Sequence, residues 1–343
     1  MPARPAEHGW PQGDIPGAVE FREAVPLEIS RAVAAVMVPQ LPDLADADWR
    51  ALCADQWPNG RYRASRGDRA WFVRVSELVG EPGREARIIE YLAADGVPVN
   101  VPIAIGLLLM WGGRQYRVDA RPFLTGARHT DGSSVDLTAL GATLAACHRS
   151  LRKFPEAATI RTAAQARYER LARVVAFAGV TARLEKWERL AELARWGQEN
   201  AAWLSTMAAE FDGSFANMSD AQCLHGEIHR ANVLFTSAGQ AVLLDFEEAV
   251  HNFAPPAWDL AYAVQRFCLH DDPSSPVWRA RLSALETGYG ASFPDLRPMM
   301  RQIAWLIAAL LIELCVEGRE IKPREEYDKF IRLERQAANL VWP

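Results

Sequence analysis

The run Cys223-Leu224-His225-Gly226-Glu227-Ile228-His229-Arg230-Ala231-Asn232-Val233-Leu234-Phe235, followed by Ala241-Val242-Leu243-Leu244-Asp245-Phe246-Glu247-Glu248-Ala249, constrains this chain more than any other part of it. It places a carboxylate five positions before an Asn, on a loop entering a strand, and a second carboxylate thirteen positions later, where another apolar strand ends. Phosphoryl transfer requires such a set. A carboxylate must orient the attacking hydroxyl and accept its proton, and hard oxygens must hold magnesium on the phosphates. Glu227, Asn232 and Asp245 supply them. Magnesium keeps several waters and takes ligands from the phosphates, so one Asn oxygen and one carboxylate suffice as the protein's share.

Around this run the chain reads as α+β in two lobes. With 343 residues, half of them hydrophobic, it can bury a large core. Residues 1–26 read as a flexible extension. Leu27 to Val38 predicts a short amphipathic helix closed by Pro39, and Arg61–Ser65 and Trp71–Val75 predict a hairpin turned at Gly67-Asp68. Glu81 to Ala94 has helical apolar spacing and stops before Gly96 and Pro98. Further strands are expected over Val101–Leu109 and Gln115–Ala120. Residues 27–121 then form a small β-rich N-lobe, 122–126 a hinge, and 127–343 a larger, mainly helical C-lobe. In that lobe Leu137–Leu151, Ala163–Ala178 and Thr181–Phe211 are expected helices, the last with an apolar stripe at Leu184, Trp187, Ala191 and Ala194.

Charge and cysteine usage exclude several classes. A net charge of -5 without basic runs provides no field for nucleic acid. Five scattered cysteines without a Cys-x-x-Cys pair read as reduced cytosolic thiols, and the N-terminus lacks the apolar stretch of a signal peptide. The greasiest segment, Ile303 to Ile312, is bracketed by Arg301, Gln302 and Glu313, which makes it a buried helix too short to cross a bilayer. A cytoplasmic protein, monomer or homodimer, with no membrane or nucleic-acid partner is the expectation.

The loop residues resemble the aminoglycoside phosphotransferase family, related in fold to choline kinases and more distantly to protein kinases. His225, Gly226, His229, Asn232, Val233 and Leu234 match its His-Gly-Asp loop with Asn five positions on, Asp245 to Glu248 match its second acidic motif, and Pro255-Pro256-Ala257-Trp258-Asp259-Leu260-Ala261 is similar to its Pro-x-x-x-Asp-Leu-Ala signature. The resemblance implies a bilobal protein-kinase-like fold. It implies Glu227 as the catalytic carboxylate, Asn232 and Asp245 as magnesium ligands, and His225 and Asp259 as supports of the loop, with His229 and Glu247 as possible additions to the site. The family's loop acid is Asp, whereas this chain has Glu227, with one methylene and about 1.5 Å more reach.

The family also pairs a basic strand residue with a Glu on the next helix. Arg74 and Glu85 occupy those places, with Glu90 as the alternative partner. A phosphate-covering loop is expected at Gln56-Trp57-Pro58-Asn59-Gly60, with Gly60 against the nucleotide. Only fourteen positions separate Asp245 from Asp259, which leaves no room for the activation segment with which protein kinases present a peptide. The expected activity is transfer from ATP or GTP, with magnesium, to a hydroxyl of a small molecule. Acidic Asp271, Asp272, Glu313, Glu317 and Glu320 raise an aminoglycoside or another basic metabolite as acceptor. A nucleotide-binding pseudokinase and a structural protein without nucleotide are the competing readings.

Overall fold

A computed structural model describes residues 23–52, 57–77, 82–126, 133–181, 191–269, 277–318 and 324–343. The chain forms two compact units, one containing Asp131–Asn232 and Glu247–Pro343, the other Gly13–Thr130 and Val233–Phe246.

The second unit opens with β1 (Glu23–Ala24), α1 (Leu27–Met37) and β2 (Asp48–Ala51). Next come β3 (Gly60–Arg66), β4 (Arg69–Glu77), α2 (Pro82–Ala94), β5 (Ala104–Trp111) and β6 (Arg114–Pro122). The six strands form one antiparallel sheet in the order β1-β2-β3-β4-β6-β5. Arg66 pairs with Arg69, so the expected hairpin closes through Gly67 and Asp68, and Gly67 takes a φ of 58° that a two-residue turn requires. Strand alternation sorts the side chains. Tyr62, Ala64, Trp71, Val73, Val75, Val118 and Ala120 are buried with Ile29, Val33 and Met37 of α1. Arg74, paired in register with Asp119, projects to the other face with Arg117 and Arg121.

In the other unit, α3 (Ser134–Leu151) starts at Ser133, whose side chain accepts the Asp136 N–H. After it come α4 (Ala157–Thr181), α5 (Ala191–Glu199), α6 (Ala201–Glu210) and β7 (Gln222–Cys223). The expected helix over 181–211 is therefore divided at Asn200, and Leu184 and Trp187 of its stripe lie outside the described residues. The chain then contributes β8 (Val233–Phe235) and β9 (Ala241–Leu243) to the unit of the large sheet, where the Leu243 N–H donates to the Pro98 carbonyl at 3.0 Å. It returns with β10 (Phe253–Ala254), paired to β7, and α7 (Ala257–Ala263), which runs into a π-helical turn at Val264–Cys268.

Three helices complete this unit: α8 (Val277–Tyr289), α9 (Arg297–Val316) and α10 (Arg324–Asn339). α3 and α8 touch backbone to backbone. A Cβ on Gly141 would lie 2.1 Å from the Leu285 carbonyl oxygen, and one on Gly288 1.9 Å from that of Thr138. α9 corrects the sequence reading. It has 20 residues, long and apolar enough by length and composition to cross a membrane, where a ten-residue apolar core was expected. The residues taken as brackets lie within it. Arg301 Nε bonds Glu334 Oε1 at 2.7 Å, and buried Glu313 accepts from Arg170 Nε at 2.5 Å. Eleven of its side chains, Ile303, Trp305 and Leu306 among them, are buried within this unit.

Candidate active site

The loop from His225 to Asn232 is held by its own main chain, by one buried carboxylate and by an indole N–H. Asp259, fully buried on α7, accepts the Gly226 N–H at 2.9 Å on Oδ1 and the His225 N–H at 3.0 Å on Oδ2. Trp258 Nε1–H donates to the Gly226 carbonyl at 3.3 Å. Gly226 has a φ of 90°, and a Cβ there would come within 2.8 Å of the Asn252 side chain, so only glycine fits. His225 is buried and its Nδ1 accepts the Glu227 N–H at 3.4 Å.

These contacts present Glu227, one third exposed, beside His229 and Asn232. His229 Nδ1 accepts the Ala231 N–H at 3.2 Å, which leaves the ring hydrogen on Nε2, 3.3 Å from Glu227 Oε1. Asn232 Nδ2 donates to the Glu227 carbonyl at 3.1 Å and lies 3.5 Å from its Oε2. The amide is thereby oriented, with Oδ1 as the atom suited to a hard cation. The charge of Glu227 reaches further groups. The Tyr262 hydroxyl is pushed up by burial and then by Glu227. Lys329 on α10 is lowered to about 8 by burial and by the charge of Arg266, against the opposing pull of Glu326 and Glu227.

In the other unit Arg74 and Asp245 come together. Arg74 Nη1 lies 3.4 Å from Asp245 Oδ1, both side chains about one quarter exposed. Asp245, just past β9, has a φ of 59°, the one non-glycine residue with positive φ among the described residues. Such backbone is retained where the surroundings over-determine it, as they do at functional sites. The β8–β9 register pairs Leu243 with Val233, so Asp245 stands two residues beyond the partner of Val233.

The expected pairing of Arg74 with Glu85 is corrected. Glu85, 4 % exposed, binds Arg117 Nη2 at 3.1 Å and Arg121 Nη2 at 2.5 Å. The reason lies in the strand period: β6 presents Arg117, Asp119 and Arg121 on one face, and its two arginines take the α2 carboxylate. Arg117 Nε also bonds Asp119, which accepts the Gly106 N–H at 2.7 Å. Gly60 opens β3 opposite Val75 as an ordinary strand residue. Gln56 of the expected phosphate loop lies outside the described residues. Glu247 is exposed, while its neighbour Glu248 is bound by Arg167 at 2.6 Å.

Among the described residues no three His, Cys, Asp or Glu side chains gather as a metal cluster. Magnesium needs few protein oxygens, and the amide oxygen of Asn232 in one unit and the carboxylate of Asp245 in the other are each, taken singly, hard oxygens of the kind it takes.

The sequence profile of a phosphotransferase enzyme family, APH, matches residues 39–300. The chain belongs to this family. It is a small-molecule kinase with a hydroxyl acceptor, on the α+β protein-kinase-like fold of the family. Solved structures share that fold at low identity. A spectinomycin phosphotransferase in complex with ADP and spectinomycin is 14 % identical over 86 % of this chain and 90 % of its own, with a TM-score of 0.53. A microcompartment-associated aminopropanol kinase is 15 % identical over 89 % and 94 %, with a TM-score of 0.54. A choline kinase from Streptococcus pneumoniae is 13 % identical over 91 % and 99 %, with a TM-score of 0.53. No curated protein matches the sequence.

Several residues of this family member escaped the sequence reading. The alternation of Arg117, Asp119 and Arg121 was a signal available on β6. His148 of α3, against Asp259, had none, because it stands 111 positions away in a helix of ordinary composition.

Proposed function

We propose that the chain transfers the γ-phosphate of ATP to a hydroxyl of a small molecule, with Glu227 as the group that orients the hydroxyl and accepts its proton. The observation that carries this reading is the anchoring of Glu227, Asn232 and His229 on one loop clamped by Asp259. The acceptor oxygen loses its proton to Glu227 as its bond to phosphorus forms. The bond from the γ-phosphorus to the β,γ-bridging oxygen breaks, and ADP leaves. Asn232 Oδ1 and Asp245 would hold magnesium, which when bound neutralises charge on the phosphates. Arg74, beside Asp245, would bind the α- and β-phosphates through its fork of donors.

The loop accommodates Glu in place of the family's Asp because His229 and Asn232 both stand at its carboxylate, which fixes the longer side chain. The acceptor class is open to an amine-bearing or cationic molecule, since solved structures of the same fold include a spectinomycin complex, an aminopropanol kinase and a choline kinase. Of the acidic residues first associated with it, Glu313 is tied to Arg170, Glu317 is exposed, and Asp271, Asp272 and Glu320 lie outside the described residues.

The test is transfer of labelled phosphate from magnesium ATP, with GTP in parallel, across aminoglycosides, amino alcohols, sugars and hydroxy acids, with Asp245→Ala as control. Transfer by the wild type and none by the variant supports the proposal. Equal transfer by both removes it. The departure at Glu227 also motivates the pseudokinase reading, which gains if no acceptor is phosphorylated while ATP still raises the melting temperature.

A further inference from the structure

We propose that Lys329 of α10 and Arg266 of the π-helical turn bind an anionic group of the acceptor, a carboxylate or a phosphate, while the acceptor's hydroxyl faces Glu227. The inference rests on Glu227 as the residue that meets that hydroxyl. Among the acceptors open to this fold it favours hydroxyl compounds that also carry an anion.

The π-helical turn ties the Glu227 loop to α10, all three within one unit. At its end the Leu269 N–H reaches back five residues to the Val264 carbonyl at 3.1 Å, and turns of this kind recur at functional sites. On one side Arg230 of the loop donates through Nε to the Arg266 carbonyl at 3.0 Å. On the other, Gln265 Nε2 donates to the Leu333 carbonyl of α10 at 3.4 Å, and Gln336 Nε2 of α10 donates to the Leu269 carbonyl at 2.9 Å.

Two cations occupy this junction. Arg266 is half-buried, and its Nε finds no hydrogen-bond partner among the described residues. Lys329 is one fifth exposed, with Glu326 at 3.8 Å and the centre of the Phe330 ring at 5.3 Å. The charge of Glu227 acts on both. Besides burial, Lys329 feels the positive charges of Arg266 and Arg332 and the negative charges of Glu326 and Glu227, so with Lys329 itself three cations meet two carboxylates. Arg266 opposes the protonation of Lys329 more than either carboxylate favours it. An anion bound by both cations would remove their mutual repulsion, take charge-assisted hydrogen bonds from them and shield its own charge from Glu227. Packing gives no reason for the ammonium, because burying it costs stability. A titratable group held at such a cost beside a reactive carboxylate is what a ligand site requires.

The experiment offers magnesium ATP with two matched sets of acceptors to the wild type, Lys329→Met and Lys329→Arg. One set is glycerol, glycerate, glycerol 3-phosphate and 1-amino-2-propanol, the other sorbitol, gluconate, glucose 6-phosphate and glucosamine. An anionic member is expected to be the best acceptor of its set, and the comparison of carboxylate with phosphate names the group. Lys329→Met should raise KM for that acceptor by about 10- to 100-fold, with kcat and KM for ATP within about threefold, and Lys329→Arg should recover most of the loss. Preference for a neutral or amine member, or an unchanged acceptor KM in Lys329→Met, overturns the proposal. Should Lys329→Met not fold, Lys329→Gln takes its place with the same outcomes. If no member is phosphorylated, binding decides: with magnesium ADP at fixed ionic strength, gluconate or glucose 6-phosphate should raise the melting temperature of the wild type and leave that of Lys329→Met unchanged. Equal shifts in the two, or none in either, also overturn it. Full activity in Glu227→Gln beside a raised acceptor KM in Lys329→Met would remove Glu227 as the base and leave the anion site standing, so the two failures are distinguishable.

Discussion

Arg74 Nη1 and Asp245 Oδ1 stand 3.4 Å apart at the end of the β8–β9 hairpin, a cation and a carboxylate side by side, one for each role that the proposed function assigns at a magnesium triphosphate. Because both side chains are partly solvated, the pair itself contributes less than about 1 kcal/mol to stability. Arg74→Ala should weaken ATP binding by roughly 10- to 100-fold while the denaturant midpoint barely moves. Glu85→Ala should do the reverse. It strips a shared carboxylate from two mostly buried arginines, at a cost of about 3 kcal/mol. Calorimetric titration with ATP and urea unfolding of both variants check the contrast, and equal loss of ATP affinity in the two would show that Glu85 serves the nucleotide after all.

Asp245→Gly is expected to separate stability from activity. The φ of 59° that Asp245 tolerates is natural to glycine, so the variant should be more stable by up to about 1 kcal/mol. Transfer should vanish with the carboxylate. Urea midpoints and phosphate transfer measured on the same preparation test both halves, and a destabilised Gly variant would refute the assignment of strain.

Glu227→Gln keeps the size, and its one amide oxygen can still accept from either His229 Nε2 or Asn232 Nδ2, but it removes the basic oxygen. A fall in kcat of about a hundredfold or more, with ATP affinity nearly constant, is the expected result. If instead Glu227→Asp gains activity that the wild type lacks, the chain is a disarmed kinase.

Lys329 gives a pH-dependent prediction. Its folded-state pKa, lowered by burial to about 8, lies below the ordinary lysine value of 10.5, so between these values the unfolded chain binds more protons and stability rises with pH. The cost of burying the ammonium is thus fully present below about pH 8 and relieved as pH approaches 10.5. Glu326, 3.8 Å away, offsets part of it. Lys329→Met should be more stable than the wild type at pH 7, by on the order of 1–2 kcal/mol, and the difference should shrink toward pH 10. Paired urea titrations at the two pH values check this, and a constant difference would mean that Lys329 does not titrate in that range.

What the sequence disclosed follows from the range of its signals. The loop from His225 to Asn232 and the hairpin at Gly67-Asp68 have local bonds that span a few positions, and the more distant clamp on the loop, Asp259, was marked by a motif of its own. The owner of Glu85 was not local. It depended on β6 lying next to β4 with Arg117 and Arg121 turned to the same face as Arg74, which the residues around Glu85 do not encode. The bounds of α9 were misjudged because Arg301 and Glu313 read as ends in isolation. Their charges are met by Glu334 and Arg170 from other helices, which lets them sit inside one.

The β8–β9 hairpin, which belongs with the large sheet although it follows it in the chain, bears on biosynthesis. The Pro98 carbonyl waits for the N–H of Leu243, 145 positions later. At about 5–20 residues per second, the ribosome takes roughly seven to thirty seconds to supply it. The sheet unit therefore cannot finish as the first domain off the ribosome, and a fragment ending at the hinge would lack the strands that complete it.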